Sequence, residues 1–156
     1  MGTVANAVRW REASLAEERQ RRQTAIKEYL QRLQDKVQPT CVVLFGSVAK
    51  GTDRVESDLD FVVVGGQLPK RLFDRLDVLA KLKWGIPVSI DVFPYTGSEF
   101  EGMLDNQHVT ALDCMYEGIP LHGEAYFKRL HARFEELVKQ GWHRTKCVWT
   151  NTPEKP

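Results

Sequence analysis

The chain has 156 residues, 42% apolar and 28% charged, enough for one core of ordinary size and too apolar for a wholly disordered chain. Lys and Arg number 22 against 21 Asp and Glu, a net of +1, which excludes a strongly basic long-range attractor of nucleic acid and leaves local patches open. Cys41, Cys114 and Cys147 are far apart and never in a C-x-x-C pair, which excludes a disulfide framework or zinc knuckle and suits a reducing cytoplasm. No apolar run approaches bilayer length and no signal-type segment opens the sequence, so the chain reads as soluble, cytoplasmic and without a membrane partner.

Residues 1–13 show no clear period and read as a loose arm ahead of one domain over 14–140. Ser14-Leu-Ala-Glu17 has the capping-box spacing, in which hydroxyl and carboxylate satisfy each other's orphan amides, and predicts a helix start. Ile26, Leu30, Leu33 and Val37 form its apolar stripe, and Pro39 ends it. From Arg9 to Lys36 eight basic residues face five acidic ones, 8 − 5 = +3, which reads as a solvated helix face, with contact to nucleic acid or an acidic partner as the alternative.

Thr40 to Phe45 is a short β-branched run between Pro39 and Gly46 and predicts a buried strand. Leu59 to Val64 predicts a second, stopped by Gly65-Gly66. A helix follows from about Pro69 to Trp84 with Leu72, Leu76, Leu79 and Lys83 in line, then a third strand, Val88 to Phe93, ending before Pro94. Helical spacing returns from Ser98 to Gly118 with a break near Asn106. Ile119 to Leu121 is extended, and a last helix runs near Glu124 to Lys139. The tail, 141–156, is polar and carries Trp142 and Trp149, which either pack back on the domain or anchor another chain. The order implies an α/β (α+β) architecture, a small mixed sheet covered by helices.

The stretch Leu44 to Val64 carries the most chemistry. A strand running into Gly46-Ser47, followed by a helix-like turn, brings backbone amides toward an anion and reads as a phosphate seat. With ten residues between, Asp58-Leu59-Asp60 opens the next strand, and side chains at i and i+2 on a strand share a face. Two converging carboxylates demand a cation, and Mg²⁺, a hard ion held by carboxylates together with substrate phosphates, answers that demand. Asp91 sits in the apolar run VSIDVF, where an ionised group needs partners. If its strand neighbours that of Asp58 and Asp60, the three could hold two ions that activate an attacking hydroxyl and steady a leaving pyrophosphate. The alternative for Asp91 is an exposed position shared with Ser89. Thr52-Asp53 after Gly51 excludes a Walker loop, and Ser47 lacks the setting of a nucleophile. His108, His122, His131 and His143 have no ligand rhythm.

Gly46-Ser47, the ten-residue gap, Asp58-Leu59-Asp60 and a later strand aspartate, Asp91, resemble the polymerase-β-type nucleotidyltransferases, specifically their minimal members, over about residues 25 to 122. The resemblance implies the nucleotidyltransferase fold and Mg²⁺-dependent transfer of a nucleoside monophosphate, AMP from ATP or from another nucleoside triphosphate, to an acceptor hydroxyl with release of pyrophosphate. It implies that Asp58 and Asp60 bind metal, that Asp91 completes the metal site and helps deprotonate the acceptor, and that Gly46 and Ser47 hold the triphosphate. Many members carry G-S-R-A-R-G where this chain has Gly46-Ser-Val-Ala-Lys-Gly51. Val48 and Lys50 depart from that pattern, and Lys50 remains a point charge for phosphate without the bidentate fork of Arg. The resemblance also suggests a helical HEPN-type protein partner in a toxin–antitoxin pair, with a homodimer as the other way to complete acceptor recognition. A binding antitoxin or regulatory subunit is the competing function, and a drug-modifying transferase a third.

Overall fold

In the computed structural model, residues 3–153 are described. They form helix α1 (Thr3–Lys36), strand β1 (Cys41–Phe45), short helix α2 (Gly46–Lys50), β2 (Leu59–Val64), α3 (Leu72–Leu82), β3 (Ile90–Tyr95), α4 (Gly97–Asp105), α5 (Val109–Glu117), β4 (Ile119–His122), α6 (Glu124–Lys139), β5 (His143–Thr145) and β6 (Val148–Thr150). The main sheet has the order β3-β2-β1-β4, with β2 antiparallel to β1 and parallel to β3. Among the described residues no helix is long and apolar enough to cross a membrane.

Alternation along the strands sorts side chains into two cores. Val42, Leu44, Leu59, Phe61 and Val63 face α1 and α3, where they meet Tyr29, Leu33 and Leu79. Cys41, Val43, Val62 and Val64 face α4, α5 and α6, where they meet Phe100, Leu104, Leu112, Met115, Leu130 and Phe134. Strands β1 and β2, covered on both faces, are almost wholly apolar, and the bounds of β2 are those the sequence predicts.

Several expectations need correction. Helix α1 takes up residues 3–13, read above as a loose arm: the stretch holds three Ala and two Arg, good helix formers, with no Gly or Pro to break it, so Ser14 lies mid-helix. The capping box that forms is instead Thr96 with Glu99, at the start of α4. The buried stripe of α1 runs through Arg22, Ala25, Tyr29 and Leu33, with Ile26 and Leu30 only partly covered. Tyr29 and Arg22 qualify because their polar ends find partners: the Tyr29 hydroxyl donates to the Leu79 carbonyl at 3.3 Å, and Arg22 meets Asp53. So the basic run is not simply a solvated face.

On α3, likewise, an arginine occupies the predicted leucine line. Arg75 is buried and donates to the carbonyls of Pro69 and Lys70, both at 2.6 Å, and to Glu99, which holds residues 69–71 as a turn and delays the helix to Leu72. Leu72 and Leu76 are exposed as a result. Strand β3 continues through Pro94 to Tyr95 because β3 is an edge: the Pro94 carbonyl turns outward to Arg75, on the side where a missing N–H costs no ladder bond. Finally, residues 143–150 of the tail form the β5–β6 hairpin, and Trp149 packs back on the domain, edge-on to Tyr116 and Phe134.

The Arg22–Asp53 contact fixes the segment between α2 and β2. Arg22, 1% exposed, donates through Nη1 to Asp53 at 2.7 Å and through Nη2 to the carbonyls of Arg54 and Val55, while Arg19 grips the same carboxylate through two bonds. Removing one member of a buried ion pair strands the other. Arg22→Met should lower stability by about 3 kcal/mol and the thermal midpoint by roughly 6–12 °C, read by calorimetry, and Arg19→Met, on the solvent side, far less. The Arg19 hydrogen bond, with the charges of both arginines, holds the Asp53 carboxyl below its ordinary 3.8. A depressed folded value contributes stability that is complete above that ordinary value and is lost as pH falls through the folded one. Asp53→Asn should therefore flatten the loss of stability below about pH 4 in urea titrations.

Candidate active site

Strand β1 ends at Phe45, whose partner in the antiparallel register is Asp60, and Asp60 in turn lies opposite Asp91 in the parallel register of β2 and β3. Asp60 shares the face of Val62 and Val64, and Asp91 that of Phe93 and Tyr95, the face covered by α4, α5 and α6. The edge contact of Phe45 with Phe93, 5.6 Å between ring centres, belongs to that same face. The structure thus brings the strand of Asp91 beside that of Asp58 and Asp60, as the sequence required of a common site.

Past Phe45 the chain turns at Gly46, whose φ is +79°. A Cβ there would stand 2.3 Å from Asp60 Oδ2, so only glycine lets the β1–α2 turn lie on that carboxylate. Ser47 follows in α2, and its carbonyl accepts from the Thr52 amide at 3.0 Å. Gly46 and Lys50, four apart, share a side of α2, and Lys50 Nζ lies 3.5 Å from Glu117 Oε2 at the end of α5.

Asp60 is half-buried, and its carboxyl is raised to about 6, first by burial and then by the negative charges of Asp91, Asp58 and Glu117. Asp58 precedes β2 and is exposed, as is Asp91. Its loop is held from behind by the Arg22 clamp and by a turn in which the Arg54 amide donates to Ser57 Oγ at 2.8 Å. Among the described residues no group of three His, Cys, Asp or Glu side chains is placed to hold a metal ion. The acids meet as an electrostatic cluster around Asp60, on which the charges of Asp91 and Asp58 both act. The donor set still fits a hard divalent cation in its chemistry, since all donors are carboxylate oxygens and the crowding that raises Asp60 is what a cation would relieve.

Sequence reasoning missed Asp53, Arg22, Glu117 and Arg144. A buried arginine hides in a basic run, and Glu117 carries no motif. A cleft of about 680 Å³ lies between α5, α6 and the hairpin, lined by Tyr116, Phe134, Trp142 and Trp149, and includes none of the three aspartates.

Residues 26–114, more than half of the chain, match the family model of the nucleotidyltransferase domain. A Methanocaldococcus jannaschii protein named "Putative protein adenylyltransferase MJ1305" is 36% identical over 72 residues, covering 41% of this chain and 49% of that protein. The chain thus spans about half the length of that curated relative. Among solved structures, a toxin–antitoxin with AMP-PNP superposes with a TM-score of 0.53 at 17% identity, over 73% of this chain and 86% of that one. A structure described as a putative nucleotidyltransferase from Sulfolobus solfataricus gives 0.50 at 20% identity, over 69% and 85%. The fold is theirs, and the matched segment contains the Gly46-Ser47 turn and all three aspartates in order, so the chain belongs to the nucleotidyltransferase domain family.

Proposed function

We propose that the protein transfers a nucleoside monophosphate, AMP from ATP, to an acceptor hydroxyl with release of pyrophosphate, and that residues 14–140 are its catalytic domain. The observation that carries this reading is the Asp60–Asp91 register beside Gly46, where a carboxylate pair adjoins the turn that the sequence suggests as a phosphate seat. Asp58, Asp60 and Asp91 would hold Mg²⁺. Bound there, the ion supplies charge neutralisation of the triphosphate and acidifies the acceptor hydroxyl. The chain's own parts divide the remaining work. The Gly46–Ser47 backbone holds phosphate oxygens, Lys50 offsets their charge, and Asp91, exposed at the sheet edge, accepts the proton of the acceptor hydroxyl. Catalysis of this kind rests on positioning and electrostatics.

The acceptor we propose is a side-chain hydroxyl of a protein partner. In support, the curated relative is named a protein adenylyltransferase, and one structural neighbour is a toxin–antitoxin with AMP-PNP. A HEPN-type partner agrees with the resemblance of the sequence to minimal nucleotidyltransferases, and a second copy of the chain is the other candidate. Three free cysteines suit a reducing cytoplasm. A second reading, an antitoxin that acts by binding its partner, draws on the toxin–antitoxin description of the same neighbour.

The two readings part on one measurement. Asp58→Asn with Asp60→Asn should lower the nucleotide added to a copurified partner, followed by intact mass after incubation with ATP and Mg²⁺, by at least ~10²-fold, and EDTA should do the same. Partner control that survives both treatments unchanged would favour binding alone. Gly46→Ala forces a side chain against Asp60 at positive φ, a cost of ~1–2 kcal/mol. It should lower the thermal midpoint by roughly 2–8 °C and suppress transfer at temperatures where the variant remains folded.

A further inference from the structure

Glu117 and Arg144 lie beyond the residues the family model matches, yet both reach the site. The Glu117 side chain, 7% exposed, accepts from Arg144 Nη1 at 3.0 Å, and the same oxygen, Oε2, lies 3.5 Å from Lys50 Nζ. One carboxylate oxygen thus serves two cations, one from α2 and one from the C-terminal hairpin.

The hairpin is built to deliver that arginine. Arg144 and Trp149 face each other across β5 and β6. Trp149 Nε1 donates to Asp113 Oδ1 at 2.9 Å, and its ring stands edge-on to Tyr116 at 5.4 Å. Arg144 Nε lies 3.5 Å from Asp113, and its guanidinium sits 5.9 Å from the Tyr116 ring centre. Asp113, Tyr116 and Glu117 form a single helical face, so the hairpin seizes α5 at both carboxylates.

We propose that Arg144 is a positioning residue of the nucleotide site: by holding the Glu117 carboxylate, it leaves the Lys50 ammonium for the phosphates of a nucleoside triphosphate. The inference rests on the nucleotidyltransferase reading. A lysine is a mobile point charge, and a nearly buried carboxylate with no other partner would keep it. Arg144, nearer and with a planar fork, takes up that demand. Lys50, 38% exposed, stays within reach of the face it shares with Gly46.

The test is direct binding of ATP with Mg²⁺ to the full chain by calorimetric titration. Arg144→Met should weaken binding about tenfold, Arg144→Lys should restore most of it, and Glu117→Gln combined with Arg144→Met should return to within about threefold of the starting protein. A merely structural arginine gives no such recovery, because removing a second anchor of the hairpin cannot restore it. Circular dichroism and thermal midpoints establish that each variant is folded, and if Arg144→Met fails to fold, the lysine and double variants carry the comparison. Binding unchanged in Arg144→Met, or a folded double variant as weak as the single one or weaker than about tenfold, overturns this inference alone. A starting protein that binds no ATP overturns the nucleotidyltransferase reading, and this inference with it.

Discussion

Repulsion among carboxylates is the constraint around which the molecule is organised. Asp60 and Asp91 face one another across neighbouring strands, with Asp58 two residues away and Glu117 near enough to act on Asp60. Such an arrangement opposes folding, and the opposition is met by the strand that carries it. From Phe61 to Val64, β2 is covered on both faces, with each side chain in one of the two cores. The burial that stabilises β2 also half-buries Asp60 and raises its affinity for a proton. The same feature that makes the cluster unfavourable makes it receptive to a cation.

Charge of the opposite sign is distributed with matching care. The arginines that look free in the sequence are mostly committed: Arg22 and Arg19 to Asp53, Arg32 to the carbonyls of Leu82 and Trp84, Arg75 to Glu99 and the turn before α3. Arg22 is the decisive one, because it reaches through the α1 interface to the loop that ends at Asp58. A buried ion pair of this sort is a weak source of net stability and a strong determinant of where a loop sits.

The elements with a clear apolar period were legible: β2 and α6 have the bounds the sequence predicts, and the pause between α4 and α5 falls at Asn106. The candidate site was legible in its aspartates and its glycine, since period-two alternation and a turn after a strand are local signals. What escaped was long-range pairing. Arg22 meets Asp53 across 31 residues and Arg144 meets Glu117 across 27, and no spacing rule joins them. On α1 and just past its end, Leu33 and Val37 are buried as predicted, while Ala25 and Tyr29 take the buried places predicted for Ile26 and Leu30, for the same reason. An arginine and a tyrosine count as polar until the partner that satisfies them is known, and that partner lies on another element.

The two departures from the Arg-rich pattern in α2 have a common structural logic. Val48 and Ala49 pack against the core shared with α1 and α3, while Gly46 and Lys50 lie on the side toward Asp60 and Glu117. A cation at 48 would give up the apolar contact that Val48 makes there. Val48 therefore anchors the turn that presents Gly46, at the cost of a positive charge. On the reading proposed for Arg144, the hairpin does not replace that charge but offsets Glu117, which leaves Lys50, the cation α2 retains, for phosphate. On that reading, a segment with no motif of its own becomes part of how this chain would handle phosphate.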